Sequence, residues 1–167
     1  MSCKPILIVD GEPNSVFLEI FFKSLKKIKP KNPIILISSI NLIKIQMKKS
    51  KFKKKLKLLN LQNINFKELN NSTINLIDIK YDMSKTFSKR SIKSNKYILN
   101  CLKVSFDLVK KYKIKSFING PINKKNFLNK KYLGMTEFIS ENFNVKKNAM
   151  LIYNKNLSVC PITTHLP

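Results

Sequence analysis

The chain has 167 residues, with 33 basic against 9 acidic side chains and a formal net charge of +24. That length is enough for one domain with its own core, and no apolar run approaches the length of a membrane span. Three cysteines, Cys3, Cys101 and Cys160, are odd in number and show no C-x-x-C spacing, so reduced thiols are the simple reading.

Pro5 to Asp10 reads as a buried strand, a short run of Ile, Leu and Val bounded by turn residues. Gly11-Glu-Pro13 turns the chain, and Asn14 or Ser15 is placed to cap a helix running to about Lys29. Phe17, Leu18, Phe21, Phe22, Leu25 and Ile28 recur in it at helical spacing. Pro33 to Ser38 is a second strand. A basic helix is expected from Leu42 to about Lys57, with Ile45, Phe52, Leu56 and Leu59 facing inward and the lysines forming a solvated outer face. Ile64–Leu69 and Ile74–Ile79 are strand candidates on either side of the turn Asn70-Asn-Ser72. Ser91 to Tyr112 is a long helix, marked by Ile98, Leu102, Ser105 or Phe106, Val109 and Tyr112, and it feeds the strand Ser116–Asn119. A strand, a helix and a further strand form a crossover, right-handed if the strands are parallel. Short helices follow, one after Pro121 with Asn123, Lys124, Phe127 and Leu128, the next from a Thr136 N-cap to Phe143. Ala149–Tyr153 and Leu157–Ile162 pair as a hairpin around Asn154-Lys-Asn156, where asparagine tolerates the positive φ of tight turns.

A charge of +24 ordinarily points to nucleic acid or an anionic surface. Here every basic residue except Arg90 is lysine, whereas base and phosphate readers rely on the arginine fork. Lysine, asparagine and isoleucine are abundant together, and their codons are the richest in A and T. Genome composition therefore explains the charge better than a polyanion partner does. The expectation is a cytoplasmic protein with reduced thiols, without a membrane or nucleic-acid partner. A basic nucleic-acid-binding α/β protein is kept as an alternative.

Three stretches carry chemistry. In Ser116-Phe-Ile-Asn-Gly-Pro-Ile-Asn-Lys124 a strand breaks at Gly120, and Pro121 suits a first helical turn. Such a junction puts N–H groups at the carboxyl edge of a sheet, where open α/β folds bind ligands, and Lys124 adds charge there. Leu133-Gly-Met-Thr-Glu-Phe138 opens a helix. Thr163-Thr-His-Leu-Pro167 follows a strand and holds His165, the only histidine. Taken alone, His165 reads as a hydrogen-bonded structural residue and Thr136 as a helix cap.

G-P-I-N-K, G-x-T-E-F and T-T-H-L-P, in that order and preceded by Ile6-Leu-Ile-Val-Asp-Gly-Glu-Pro13, resemble the 4-hydroxythreonine-4-phosphate dehydrogenase family of vitamin B6 biosynthesis. The resemblance runs the length of this chain and covers about the first half of a family member. It implies an α/β fold of the isocitrate/isopropylmalate-dehydrogenase-like kind, with a mixed sheet flanked by helices and residues 1–167 as the N-terminal portion of two domains. It also implies NAD, a divalent cation (zinc, magnesium or cobalt) and a homodimer. His165 would be one of three histidines holding the cation across the dimer interface. The cation would lower the pKa of a secondary alcohol and polarise the ketone formed as hydride leaves to the nicotinamide, and the β-keto acid would then lose carbon dioxide.

Thr136 and, tentatively, Lys124 would lie at the phosphorylated substrate. Met135 stands where the family has a substrate-binding histidine, which removes one polar contact and raises an alternative: oxidation of a phosphorylated sugar acid such as a phosphothreonate. The glycine-rich turn after Gly-Glu-Pro is replaced by Asn14-Ser-Val-Phe-Leu18, with only Glu19 matching its end. The other metal ligands and the NAD-contacting residues belong to the family's second half. The chain is therefore expected to be an incomplete fragment, inactive alone, and a catalytically dead remnant is the further possibility. If one site is shared, Gly120, Lys124, Thr136 and His165 face one cleft.

Overall fold

The computed structural model describes residues 4–81, 92–123, 127, 132 and 134–162. The chain divides into two units, residues 1–122 and 123–167. In the first, β1 (Ile6–Val9), β2 (Ile34–Ser38), β3 (Leu56–Leu58), β4 (Ile74–Asp78) and β5 (Phe117–Asn119) form a sheet in the order β3-β4-β2-β1-β5. Every pairing in it is parallel, so the expected mixed sheet is corrected to a parallel one. Parallel strands are buried on both faces and read as unbroken apolar runs. Leu7, Val9, Ile35, Leu36, Ile37 and Leu76 are accordingly fully buried.

Helices cover both faces. Leu7, Ile35 and Phe117 share one face by register, where Phe117 meets Phe106 of α3 (Ile92–Tyr112) at 6.0 Å between ring centroids. Tyr97, Ile98, Cys101, Leu102, Ser105 and Phe106 form the buried stripe of α3, at the three-to-four spacing of one helical face. On the other face α1 (Phe17–Lys27) buries Phe17, Leu18, Phe21 and Phe22, while Glu19 pairs with Lys23 outside at 2.6 Å. The placement follows from right-handed crossovers. The step from β1 to β2 runs one way along the sheet and carries α1. The step from β4 to β5 runs the other way and carries α3 on the opposite face.

The basic helix is shorter than its composition predicts. α2 spans Ile40–Lys49 and buries Leu42 and Ile43, while Ile45 is exposed. Lys51 takes a left-handed conformation (φ 50°), Phe52 N–H donates to Met47 O at 3.0 Å, and Lys51 N–H donates to Lys48 O at 3.3 Å. This is a Schellman closure. Phe52 is drawn out of the helix to stack on Phe22 of α1 at 4.6 Å, and the chain runs on into β3. Ile64–Leu69 is likewise not a strand. Asn65 accepts from Lys67 N–H and caps a 3-10 turn over Phe66–Glu68, the local competition that asparagine offers to regular structure. Asn71 orders its turn from the side chain, accepting from Ile34 N–H and donating to Pro30 O and Asn32 O.

In the second unit α4 spans Met135–Asn142, and β6 (Ile152–Tyr153) pairs antiparallel with β7 (Ser158–Val159). The hairpin is where it was expected, but its turn works differently. Asn154 and Asn156 are not at positive φ. Asn154 Oδ1 instead accepts from Asn156 N–H at 3.0 Å, and Asn154 N–H donates to Leu157 O.

Candidate functional site

Strand order locates the candidate site. From β1 the chain moves to β2 on one side, and after β4 it returns to place β5 on the other. The carboxyl ends of β1 and β5 thus flank a topological switch point, the place where open parallel sheets form ligand crevices. Asp10-Gly11 follows β1 and Gly120-Pro121 follows β5.

These two loops interlock. Gly120 N–H donates to Val9 O at 2.8 Å, and Glu12 N–H donates to Pro121 O at 2.9 Å. A Cβ on Gly120 would lie 2.7 Å from Gly11 N and 3.0 Å from the Phe17 ring, and one on Gly11 would collide with Pro121 O. Neither glycine has positive φ, so both are needed for close backbone approach and not for turn conformation. The N–H groups of Gly11, Glu12 and Gly120 are all engaged inside the protein. These bonds form a closed latch between the ends of β1 and β5.

Asp10 anchors this latch. It is buried; its Oδ1 accepts from Gly11 N–H at 2.9 Å, and its Oδ2 accepts from Ser38 Oγ at 2.6 Å and from the Tyr97 hydroxyl at 2.9 Å. The Tyr97 oxygen in turn accepts from Ser39 N–H at 2.9 Å. One carboxylate thereby joins the ends of β1 and β2 to the second turn of α3. Burial raises the Asp10 pKa to about 6 against the lowering effect of its three donors, Ser38, Tyr97 and Gly11. Burial, reinforced by the Asp10 charge, pushes up both the Tyr97 hydroxyl and the Cys101 thiol. Asp78 Oδ1 accepts from Ile40 N–H at 2.8 Å and so caps α2, leaving Ser39 Oγ buried without a hydrogen-bond partner. Since Asp10 is closed off from solvent, its chemistry is to hold the loops and not to touch a ligand. In the sequence it is marked only as an acid that ends an apolar run just before glycine.

Of the four site residues read from the sequence, Met135 and Thr136 are described. Both are half-buried and open α4. The N-cap is Gly134, with extended backbone (φ −157°), so Thr136 is the second helical residue and the capping role expected for it is corrected. Phe138 holds this end of the helix, its ring edge-on to Phe127 at 5.7 Å and to Tyr132 at 5.3 Å. Lys124 and His165 lie outside the described residues, and with them most of the helix expected after Pro121. Phe127 N–H does donate to Asn123 O at 3.0 Å, one helical turn. Gly120 belongs to the first unit and Thr136 to the second. Among the described residues no group of three or more His, Cys, Asp or Glu could hold a metal, and no helix is long and apolar enough to cross a membrane.

Residues 17–167 match the model of the family described as pyridoxal phosphate biosynthetic protein PdxA. The chain is 31% identical to a 4-hydroxythreonine-4-phosphate dehydrogenase of Sulfurihydrogenibium sp. (strain YO3AOP1), an alignment covering 97% of this chain and 50% of the relative. Its fold is similar to crystal structures of 4-hydroxythreonine-4-phosphate dehydrogenases from Burkholderia phymatum (TM-score 0.80, 20% identity, 99% of this chain and 51% of that one) and Klebsiella pneumoniae (TM-score 0.80, 21% identity, 98% and 52%). The chain thus spans about half the length of the relatives it matches. With a family match over nearly its whole length and the same parallel α/β fold, the chain belongs to the PdxA family of pyridoxal phosphate biosynthetic proteins.

Proposed function

We propose that this chain is the N-terminal portion of a two-domain, NAD-dependent and divalent-metal-dependent dehydrogenase of the isocitrate/isopropylmalate-dehydrogenase-like kind. It would act on 4-hydroxythreonine 4-phosphate in vitamin B6 biosynthesis, in the cytoplasm and as a homodimer. The observation that carries the reading is the family match over residues 17–167, which contains the motifs of Lys124, Thr136 and His165. In it the Thr136 hydroxyl binds the substrate from the first turn of α4, whose N–H groups favour an anion. Lys124 adds positive charge for the phosphate, and His165 is a metal ligand. The described residues do not form a metal centre, and one histidine cannot close one. The remaining ligands would come from the second half of the fold or from a partner subunit.

Met135 supports a second reading. A thioether neither donates a proton nor balances a phosphate charge, so the substrate contact it replaces is weakened, in keeping with a phosphorylated sugar acid such as a phosphothreonate.

Both readings are tested by a chimera in which this chain is followed by the second half of the Sulfurihydrogenibium relative, assayed for NAD reduction with each substrate and magnesium, zinc or cobalt. The chimera is expected to turn over, the isolated chain to be inactive, and H165A to abolish the chimera's activity. T136A should lower it at least tenfold. Met135→His should favour the hydroxythreonine phosphate over the phosphothreonate. Turnover by the isolated chain, or full activity of H165A, would overturn the assignment.

A further inference from the structure

α1 and α2 lie side by side on one sheet face, because the step from β2 to β3 runs the same way along the sheet as that from β1 to β2. Where their last turns come together a groove of about 280 Å3 opens. The Schellman closure after α2 makes its floor, since Phe52 leaves the helix to stack on Phe22 and both rings are buried. Lys23 and Lys26 of α1 wall one side, and Gln46, Lys49 and Ser50 at the end of α2 wall the other. α1 covers roughly 14 Å from Phe17 to Lys26 at 1.5 Å per residue. The groove therefore lies at the opposite end of the helix from the Asp10-Gly11 and Gly120-Pro121 loops.

Genome composition explains how many lysines the chain has, but not where they stand. On the other flank of α1, the groove walled by Ile20, Ile28 and Ile118 has no charged residue in its lining, although all three are more than half exposed. Lys49 is not needed to close α2, whose carbonyls at Gln46, Met47 and Lys48 already accept from the N–H groups of Ser50, Phe52 and Lys51. Glu19 is the one carboxylate lining the groove, and Lys23 holds it at 2.6 Å. Its acid is kept below the ordinary glutamate value first by the Lys23 hydrogen bond, then by the charges of Lys23 and Lys49, so the field in the groove is positive. The Lys26 ammonium stands 5.8 Å from the centre of the Phe52 ring. A phosphate held there leaves an attached ring over the aromatic floor, between the apolar stems of the lysines. The volume suits one ring with one phosphate and is at the small end of ligand sites.

We propose that the groove between the last turns of α1 and α2 binds a small aromatic phosphate, its ring against Phe52 and its phosphate between Lys26 and Lys49. The site is independent of the dehydrogenase reading, so its test uses no turnover. The full chain is titrated at one salt concentration with phenyl phosphate, inorganic phosphate and benzyl alcohol, and followed by calorimetry and by the amide resonances of Ser50 and Phe52. Phenyl phosphate is expected to bind at least tenfold more tightly than either of the others and to shift both resonances. Lys26→Gln combined with Lys49→Gln should weaken it at least tenfold. Gln46→Trp, which fills the groove and keeps its charge, should abolish it. Lys103→Gln combined with Lys110→Gln removes the same charge from exposed positions on α3 and should leave binding nearly unchanged. The proposal is overturned if phenyl phosphate does not bind, or binds no more tightly than inorganic phosphate. It is also overturned by full binding to Gln46→Trp, or by equal losses in the two lysine pairs, which would make binding a general response to net charge.

Discussion

The two units of this chain are built on opposite terms. Residues 4–122 carry a parallel sheet whose central side chains are closed off from water on both faces. In residues 123–162 the described buried positions are Phe127 and Gly134, and the hairpin exposes Leu151, Ile152, Tyr153, Leu157 and Val159. Two-stranded hairpins of this length are marginal in isolation. The first unit therefore owns its core, and the second displays apolar surface that a core would need. The motifs follow the opposite division: Met135, Thr136 and the stretch around His165 fall in the unit with the least packing of its own.

That contrast is tested most strongly in the sheet. Leu76→Ala removes a fully buried side chain from β4 and should cost about 2–5 kcal/mol in urea unfolding. A loss below about 1 kcal/mol would mean the first unit has no cooperative core. The Asp10 anchor should register next, as a pH dependence. Its folded pKa of about 6 lies above the ordinary aspartate value of 3.8, so its contribution to stability is fully present below about pH 4 and is lost as pH rises through about 6. The difference amounts to about 3 kcal/mol across that window. Asp10→Asn should flatten this part of the stability–pH curve, and an unchanged curve would separate Asp10 from the packing of the sheet edge. Gly120→Ala comes third. Its Cβ meets backbone at 2.7 Å, which should cost about 1–3 kcal/mol, read as a lowered melting temperature. The smallest effect is expected in the hairpin. Tyr153→Ala, at a residue 75% exposed, should change stability by less than about 0.5 kcal/mol. A loss comparable to that of Leu76→Ala would show the hairpin covered in solution and erase the contrast.

The apolar runs at Ile6–Val9, Ile34–Ser38 and Ile74–Asp78 are legible because a buried parallel strand needs nothing but such a run. The stripe of α3 is legible for a similar reason. The boundaries that differed were set by partners distant in sequence. Lysine-rich residues 50–57 satisfy helix propensity, yet the Phe52 ring finds Phe22, and the helix closes at Lys51. At Asn65 the side chain caps a 3-10 turn where an apolar run suggested a strand, and at Asn154 it supplies the turn in place of the expected positive φ. Thr136 read as a cap because glycine gives no positive signal, while extended Gly134 holds that position. The site was legible only through motif resemblance. The Asp10–Ser38–Tyr97 cluster joins residues from two strand ends and a distant helix, and no local pattern announces it.

The pairing of β1 with β5 sets Leu7 against Phe117, and so governs the order in which the chain can fold. On the ribosome, β1 and β2 are complete long before β5 is made. At roughly 5–20 residues per second the open edge of β1 waits on the order of 5–20 s for its neighbour. During that interval Ile8 and its companions on β1 offer unpaired backbone beside an uncovered apolar face, the situation in which nascent chains associate wrongly. A contact this distant in sequence also closes slowly once the chain is free. The yield of folded protein should therefore depend more on chaperone supply and translation rate during synthesis than on the strength of the finished sheet.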